Sequence, residues 1–433
     1  MPGARPLRPH RPGSQRSAGG RPYRPACRAL HLRHHAGTGA RGGAADHGAV
    51  HARGRRSPAP ALRALSALRG GRAVTPIDPG SIRRVLIRAN NWIGDVVMIS
   101  PAVRALRAHF RGARIAIVAK SWVLETLTGD PFYDDLIEYD SAGAHRGLGG
   151  RLRLAAALRR ERFDLAVLFQ KAFEAAALAF LAAVRYRVGY ATDRRSLLLT
   201  HALDPPREDT HHVEAFLGIA RALGCRIDDP FPSFHLREDD RRQARTLLAD
   251  ARLTGHSPLL ALHPGASKEP RAWHPERFAD LGRRLAGRYG ARVVLLGSAA
   301  EHDRLRQIAA GMPSGCAFVP GPGLSIKVTG ALLESCHLFV GNDSGPMHVA
   351  AALGVPTIGI FGPGTPRRTA PIGSRGRVIA VSKDYPCSPC RQKFFHECPP
   401  SPAGKPFCLE EVRVEDVEVA AADLLQRARE SAL

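Results

Sequence analysis

The sequence predicts an α/β architecture of two doubly wound parallel sheets facing a central cleft, and three observations predict it. Short apolar runs alternate with helix-length stretches from Ile82 to Leu223 and again from Leu259 to Phe361, the rhythm of βαβ units. Each series holds one run that ends in a small-residue turn and opens a helix: Asn91-Trp92-Ile93-Gly94-Asp95 in the first, Gly341-Asn342-Asp343-Ser344-Gly345-Pro346-Met347-His348 in the second. Such turns are where open α/β sheets bind phosphates. Finally, the chain has 433 residues, more than the roughly 250–300 at which a single core stops growing.

The elements follow in order. Arg84–Arg88 reads as a strand, Asn90–Asp95 as a loop and Val96–Phe110 as a helix with Pro101 near its first turn. Ala113–Ala119 and Leu136–Tyr139 are strands, followed by a helix over Gly149–Arg162 and a strand over Leu165–Phe169. Ala172–Val184 is apolar but interrupted by Glu174 and too short to span a bilayer, so it reads as a buried helix. The strand Arg187–Tyr190 and the helix His211–Leu223, with Thr210 placed to cap it, close the first series. A charged helix over Glu238–Ala251 bridges to the second. There, strands at Leu259–His263, Arg292–Leu296, Cys316–Val319, Leu338–Val340 and Thr357–Phe361 alternate with helices at Glu276–Tyr289, Glu301–Ala310, Ser325–Ser335 and Pro346–Leu353. The division expected is an extension over residues 1–80, a first sheet domain over 81–235, a linker over 236–257 and a second sheet domain over 258–433.

Charge points away from nucleic acid. The formal net charge is +24, from 63 Lys+Arg against 39 Asp+Glu. Between Arg5 and Arg72 in the extension lie 15 arginines against Asp46 alone, so that stretch holds about +14 of the total and leaves about +10 for the rest. It is rich in Gly, Pro and Ala without periodic apolar residues and is expected to be disordered. A transit peptide, a nucleic-acid or membrane arm and a mis-started extension are the three readings of it. No secretory apolar region and no apolar run of about 18 residues stands out, so a cytoplasmic protein with at most peripheral membrane contact is expected. G-x-G-x-x-G occurs only as Gly37-Thr38-Gly39-Ala40-Arg41-Gly42 in the extension, outside the strand-and-helix rhythm, and G-x-x-x-x-G-K-[ST] is absent, which argues against a dinucleotide dehydrogenase and a P-loop NTPase.

Four short stretches in order carry a resemblance: Asn91-Trp92-Ile93-Gly94-Asp95 with Met98 and Pro101, His263-Pro264-Gly265-Ala266-Ser267 with Trp273, Gly297-Ser298, and Asn342-Asp343-Ser344-Gly345 with Met347-His348. From Ile82 to the end, the chain resembles the ADP-heptose:lipopolysaccharide heptosyltransferases of glycosyltransferase family 9, with the heptosyltransferase II branch nearest in pattern. The resemblance implies a GT-B fold of two Rossmann-like domains, the first binding acceptor and the second binding nucleotide sugar. It implies an inverting, metal-independent transfer of L-glycero-D-manno-heptose from ADP-heptose to the first heptose of the lipopolysaccharide inner core. It also implies no cofactor for catalysis and work at the inner face of the inner membrane. The alternatives are a heptosyltransferase acting on another glycan or a protein, and a sugar-nucleotide-binding protein without catalysis.

Displacing a diphosphate from an anomeric carbon needs a base for the acceptor hydroxyl and positive charge for the leaving group. Asp95 stands where the family places its catalytic aspartate; capping of the following helix is the structural alternative. Asn91, Trp92 and Gly94 are acceptor-side candidates. Ser344 and Gly345 open a helix with Pro346 at its start, offering a hydroxyl and free N–H groups to a diphosphate. Asp343 is expected to order that loop by accepting backbone N–H bonds, and His348 to donate to phosphate or sugar or to serve structure alone. Lys268 and Arg271 supply the cations; the family commonly has lysine where Arg271 stands, so which of the two meets the diphosphate is open. Gly297, Ser298, Glu301 and Asp303 follow a strand where a carboxylate meets ribose hydroxyls, with helix capping an equally simple account.

Of eight cysteines, Cys387, Cys390, Cys398 and Cys408 form C-x2-C-x7-C-x9-C in a polar, Pro-rich loop over 387–408. A C-x-x-C opening chelates Zn or Fe, and related heptosyltransferases that modify autotransporter proteins carry a four-Cys iron site. A structural Zn or Fe site is one reading and free thiols the other. His211-His212 begin a first-domain helix; facing the acceptor is one reading, and an exposed helix start the simpler one.

Overall fold

The computed structural model describes residues 77–430 apart from 256, 374–376, 384, 386, 388–389, 391–394 and 396–397, together with the backbone of Arg28–Leu32. Most of the extension and much of the four-Cys loop therefore lie outside the described residues. Within the extension, expected to be disordered throughout, Arg28–Leu32 is a strand, β1. It pairs in parallel with Val378–Lys383 (β13), whose outer edge otherwise offers a row of open backbone groups.

The first sheet has six strands: β2 (Arg84–Arg88), β3 (Arg114–Lys120), β4 (Asp135–Tyr139), β5 (Leu165–Leu168), β6 (Tyr186–Tyr190) and β7 (His201–Leu203). Their order is β4-β3-β2-β5-β6-β7, all parallel. The second has seven: β8 (Leu259–His263), β9 (Arg292–Leu295), β10 (Ala317–Phe318), β11 (Leu338–Asn342), β12 (Thr357–Phe361), β13 and β1, in the order β1-β13-β12-β11-β8-β9-β10, again all parallel. β5, β8, β11 and β12 are buried at every residue, which is why they read as unbroken apolar runs. Strand order reverses between β2 and β5 in one sheet and between β8 and β11 in the other. Loops at such reversals diverge and leave a crevice at the carboxyl ends of the strands. The turns after β2, β8 and β11 are the three that carry the sequence motifs.

Around the first sheet lie α1 (Ile93–Met98), α2 (Ser100–His109), α3 (Ser121–Leu127), α4 (Gly147–Arg160), α5 (Phe173–Leu181) and α6 (His212–Ala222). The single helix expected over Val96–Phe110 is two, broken at Ile99. Pro101 has no N–H for the Val97 carbonyl, which instead accepts from the Ser100 hydroxyl at 2.7 Å. The expected start also moves: α1 begins at Ile93 and takes Asp95 into its first turn. The helix after Thr210 is capped by His211, whose Nδ1 accepts from Val213 N at 3.2 Å. α5, expected to be buried, buries Ala175, Ala176, Leu178 and Ala179 but leaves Phe173, Phe180 and Leu181 exposed.

After α7 (Glu238–Asp250), the second sheet carries α8 (Pro275–Tyr289), α9 (His302–Ala310), α10 (Ile326–Glu334), α11 (Gly345–Ala352), the short α12 (Pro366–Thr369) and α13 (Phe407–Glu410), and α14 (Val414–Glu430). Val417, Ala420, Ala421 and Leu424 lay α14 onto the core shared with Leu281 and Leu285 of α8, while Arg284 pairs with Glu415 at 2.8 Å. No helix among the described residues is long and apolar enough to cross a membrane.

Candidate active site

A cleft of about 660 Å³ opens where the carboxyl ends of the two sheets meet, within the size range of small-molecule sites. Two helix N-termini face each other at its floor, and glycines let them touch. A Cβ on Gly94 would lie 2.7 Å from His348 Cδ2, and one on Gly345 would lie 2.9 Å from Ile93 Cβ. Both contacts join α1 of the first sheet to α11 of the second.

Asp95 is the third residue of α1 and lines this cleft. The capping position belongs to Trp92, which makes no side-chain capping bond, so capping does not account for Asp95. Its carboxylate meets His212 Nδ1 at 3.3 Å, with Asp95 18% and His212 23% exposed. His212 is thus a cleft residue rather than an exposed helix start. Next to it, His211 accepts from Val213 through Nδ1 and donates through Nε2 to Ala370 O at 3.0 Å, which fixes its neutral tautomer. Burial pushes its pKa down in agreement.

His348, in the first turn of α11, is buried against Gly94. Burial drives its pKa down to about 4; His211, His212 and Arg271 add to the shift and Asp95 opposes it. The ring is therefore neutral at pH 7. An unfolded histidine takes up its proton near pH 6.5, so stability is fully present above that value and is lost as pH falls toward 4. A shift of this size contributes on the order of 3 kcal/mol. Urea denaturation at pH 7 and pH 4.5 checks this, with His348→Gln expected to lose less stability over that interval than the unmodified protein.

On the second side, Asn342 is fully buried and staples two loops. Its Oδ1 accepts from Trp273 N at 3.0 Å and its Nδ2 donates to Pro264 O at 2.8 Å. Trp273 is itself buried, donating through Nε1 to Val412 O at 2.8 Å. The motif residues after β8 and β11 thereby form one rigid rim. Ser344 begins α11 without a side-chain capping bond, leaving first-turn N–H groups open to the cleft. Its hydroxyl lies 3.3 Å from His263 Nδ1.

Asp343 is held by the Arg271 guanidinium rather than by the expected backbone N–H groups. It lies in a tight, buried place where a Cβ on Gly364 would come within 2.3 Å of its Oδ2. Burial pushes its carboxyl pKa up, with Arg271 pulling the other way. Arg271 is thus engaged at the rim, and both it and the exposed Lys268 line the cleft.

Glu301 accepts from Ser298 N at 2.8 Å and Ser298 Oγ at 2.7 Å in a capping box, yet both residues also line the cleft. Gly297 packs against Leu305 and Asp303 is exposed in the first turn of α9; neither lines the cleft. Asn91 stands behind Trp92, accepting from Trp122 Nε1 at 2.8 Å through its carbonyl and from Arg88 at 3.0 Å through Oδ1. Trp122 and Arg368 line the cleft without having been singled out in the sequence. The Trp122 signal was available, since Lys120-Ser121-Trp122 follows β3 as Asn91-Trp92 follows β2. Among the described residues no cysteine is in a disulfide, and no group of three or more His, Cys, Asp or Glu is arranged to hold a metal. Cys408 is nonetheless pushed up to about 12 by burial and then by Cys387, Cys390 and Cys398, so the four thiols share one neighbourhood.

Comparison with known proteins agrees with this geometry. Residues 151–398, more than half of the chain, match the model of glycosyltransferase family 9 (heptosyltransferase). Lipopolysaccharide heptosyltransferase 2 of Salmonella typhimurium is 29% identical over 316 residues, covering 70% of this chain and 89% of the relative. The structure of Escherichia coli ADP-heptose lipopolysaccharide heptosyltransferase II superposes with a TM-score of 0.65 at 22% identity, over 80% of this chain and 99% of that one. The Escherichia coli heptosyltransferase WaaC with ADP-2-deoxy-2-fluoro heptose gives 0.59 at 18% identity, over 78% and 99%. With its paired parallel sheets of the GT-B type, the chain belongs to glycosyltransferase family 9, the heptosyltransferases, and is a glycosyltransferase.

Proposed function

We propose that the chain moves L-glycero-D-manno-heptose from ADP-heptose to the first heptose of the lipopolysaccharide inner core, by inversion and without a catalytic metal. One observation carries the reading: the Asp95 carboxylate and the open N-terminus of α11 face the same cleft from opposite sheets. A base and a leaving-group site so opposed suit a single displacement, which inverts the anomeric carbon. Asp95 takes the proton from the acceptor hydroxyl, with His212 orienting its carboxylate. The N–H groups at Ser344 and Gly345, with Lys268, receive the diphosphate, and Arg271 acts by holding Asp343 beneath that loop. Neutral His348 donates to the sugar or phosphate. Ser298 and Glu301 lie where the ribose falls, with Gly297 shaping the turn and Asp303 outside it. Asn91, Trp92 and Gly94 form the acceptor side. In this reading residues 81–235 bind the acceptor, 258–433 bind the donor, and the chain works in the cytoplasm against the inner membrane.

The donor assignment draws support from the heptosyltransferase solved with a fluorinated ADP-heptose. Four thiolates suit Zn or Fe by their softness. The described residues, however, present no assembled ligand set, and no step is routed through a metal. The test is ADP release from ADP-heptose with a deacylated inner-core acceptor ending in its first heptose, with and without a chelator, and the anomeric configuration of the product by NMR. Acceptor-dependent release, chelator-insensitive and inverting, is expected. Donor binding without release would move the acceptor to another glycan or a protein, or leave a non-catalytic binder. Failure to bind ADP-heptose would overturn the reading.

A further inference from the structure

α5 reads Phe-Glu-Ala-Ala-Ala-Leu-Ala-Phe-Leu, and its one charged residue, Glu174, pairs with Arg151 of α4 at 3.3 Å. A helix apolar on all sides belongs in a core or in lipid. α5 is in neither: Phe173, Phe180 and Leu181 are 47%, 49% and 43% exposed. Its neighbours repeat the pattern. Leu148 and Leu152, one turn apart on α4, are 73% and 45% exposed, and Leu197, in the short turn Arg195–Leu198 beside α5, is 92% exposed. The sheet order explains why they gather. The connections β4 to β5, β5 to β6 and β6 to β7 all advance in one direction across the sheet. Right-handed crossovers therefore put α4, α5 and the Arg195–Leu198 turn on the same face. Their inward residues Leu154, Leu158, Ala176, Leu178 and Leu199 share one core under that face. The outward residues remain between 43% and 92% exposed. Arginines accompany them: Arg153, Arg159 and Arg160 are exposed on α4, and the Arg187 guanidinium lies 5.4 Å over the Phe180 ring.

We propose that this face, formed by α4, α5 and the Arg195–Leu198 turn, docks the first sheet onto an anionic bilayer surface. Phe180, Leu181 and Leu197 enter the headgroup boundary, and the arginines meet lipid phosphates. At nine residues α5 is far too short to span, so the contact is peripheral. Apolar tips set among cations are the signature of interfacial binding, and neither feature holds firmly alone. The inference rests on the proposed lipid-linked acceptor only for its purpose: it presents the first sheet's cleft to a sugar rooted in the same bilayer.

The test is co-sedimentation of the full chain with phosphatidylcholine vesicles, with or without one third phosphatidylglycerol, comparing the unmodified protein with Phe180→Glu/Leu197→Glu. Circular dichroism and ADP binding confirm that the variant is folded. The expected result is binding to the anionic vesicles only, weakened about tenfold or more in the variant. Turnover of a deacylated, soluble acceptor should be unchanged. Equal binding of both proteins would overturn the proposal and place the contact elsewhere, for instance in the Arg-rich extension. So would absence of binding, or a change of oligomeric state in the variant, which would make this face a contact between copies. ADP release from the soluble acceptor reads the proposed activity separately, so either inference can fail alone.

Discussion

Asp95→Asn is expected to keep ADP-heptose binding within a few-fold and to lower kcat by about 10²–10⁴, the usual contribution of general-base catalysis. The substitution keeps the side chain's shape, and an amide oxygen can still face His212 Nδ1, where the carboxylate now lies at 3.3 Å. In the proposed mechanism, what it removes is the ability to accept the acceptor's proton as the new bond forms. Loss should therefore appear in kcat and in kcat/KM alike, with the donor dissociation constant almost unmoved. Single-turnover ADP release beside calorimetric titration of ADP-heptose separates the two. Asp95 is only 18% exposed, and its residue-mates on α1 are packed against α11, so a variant that also lost donor binding would point to a displaced helix. Transfer surviving at near the original rate would remove Asp95 from the mechanism.

Arg271→Ala is expected to have the largest effect on stability, about 3–5 kcal/mol, because it leaves a buried carboxylate without its cation. Asp343 is 8% exposed, and burial already raises its pKa against the pull of Arg271. Without Arg271 that pKa climbs further above the unfolded value of 3.8. A carboxyl whose folded pKa is raised costs stability once the pH exceeds the unfolded value, and the cost is complete above the folded pKa. The difference between variant and unmodified protein should thus be widest at neutral pH and shrink as the pH falls toward 4. Urea denaturation across that range measures it. Arg271→Lys should recover only part of the loss, since an ammonium cannot form the planar fork. A pH-independent difference would mean that Arg271 matters for packing and not for the charge of Asp343.

The fold was legible because its signals are local. Apolar runs such as Leu259–His263 and small-residue turns such as Asn342-Asp343-Ser344-Gly345 announce a strand and a helix start within ten residues. Pairings between distant segments were not legible. That His212 would meet Asp95, 117 positions earlier, depends on the β2–β5–β6–β7 order and on α6 crossing back beneath it. That Arg271 would spend its charge on Asp343 depends on the Asn342 staple between β8 and β11. β13 and α14 were passed over because they follow the last recognisable motif, though Val378–Lys383 has the apolar content of the other strands. α5 was misjudged for a different reason: its composition says that it avoids water, and only the sheet order says which side is left to do so.

The bare contact between Gly94 and His348, and between Gly345 and Ile93, bears on how the enzyme moves. Two-lobed transferases are commonly pictured as jaws that bring their reacting groups together on closing. Here the Asp95 turn and the Ser344 turn already touch, so in the proposed mechanism a swing of the lobes pivots on this joint and leaves the gap across it nearly unchanged. In that mechanism the distance between base and leaving-group site is set by the scaffold before either substrate arrives. What opening and closing can vary is the far rim, where Trp122, Lys268 and Arg368 stand, and with it the admission of substrate and the escape of ADP.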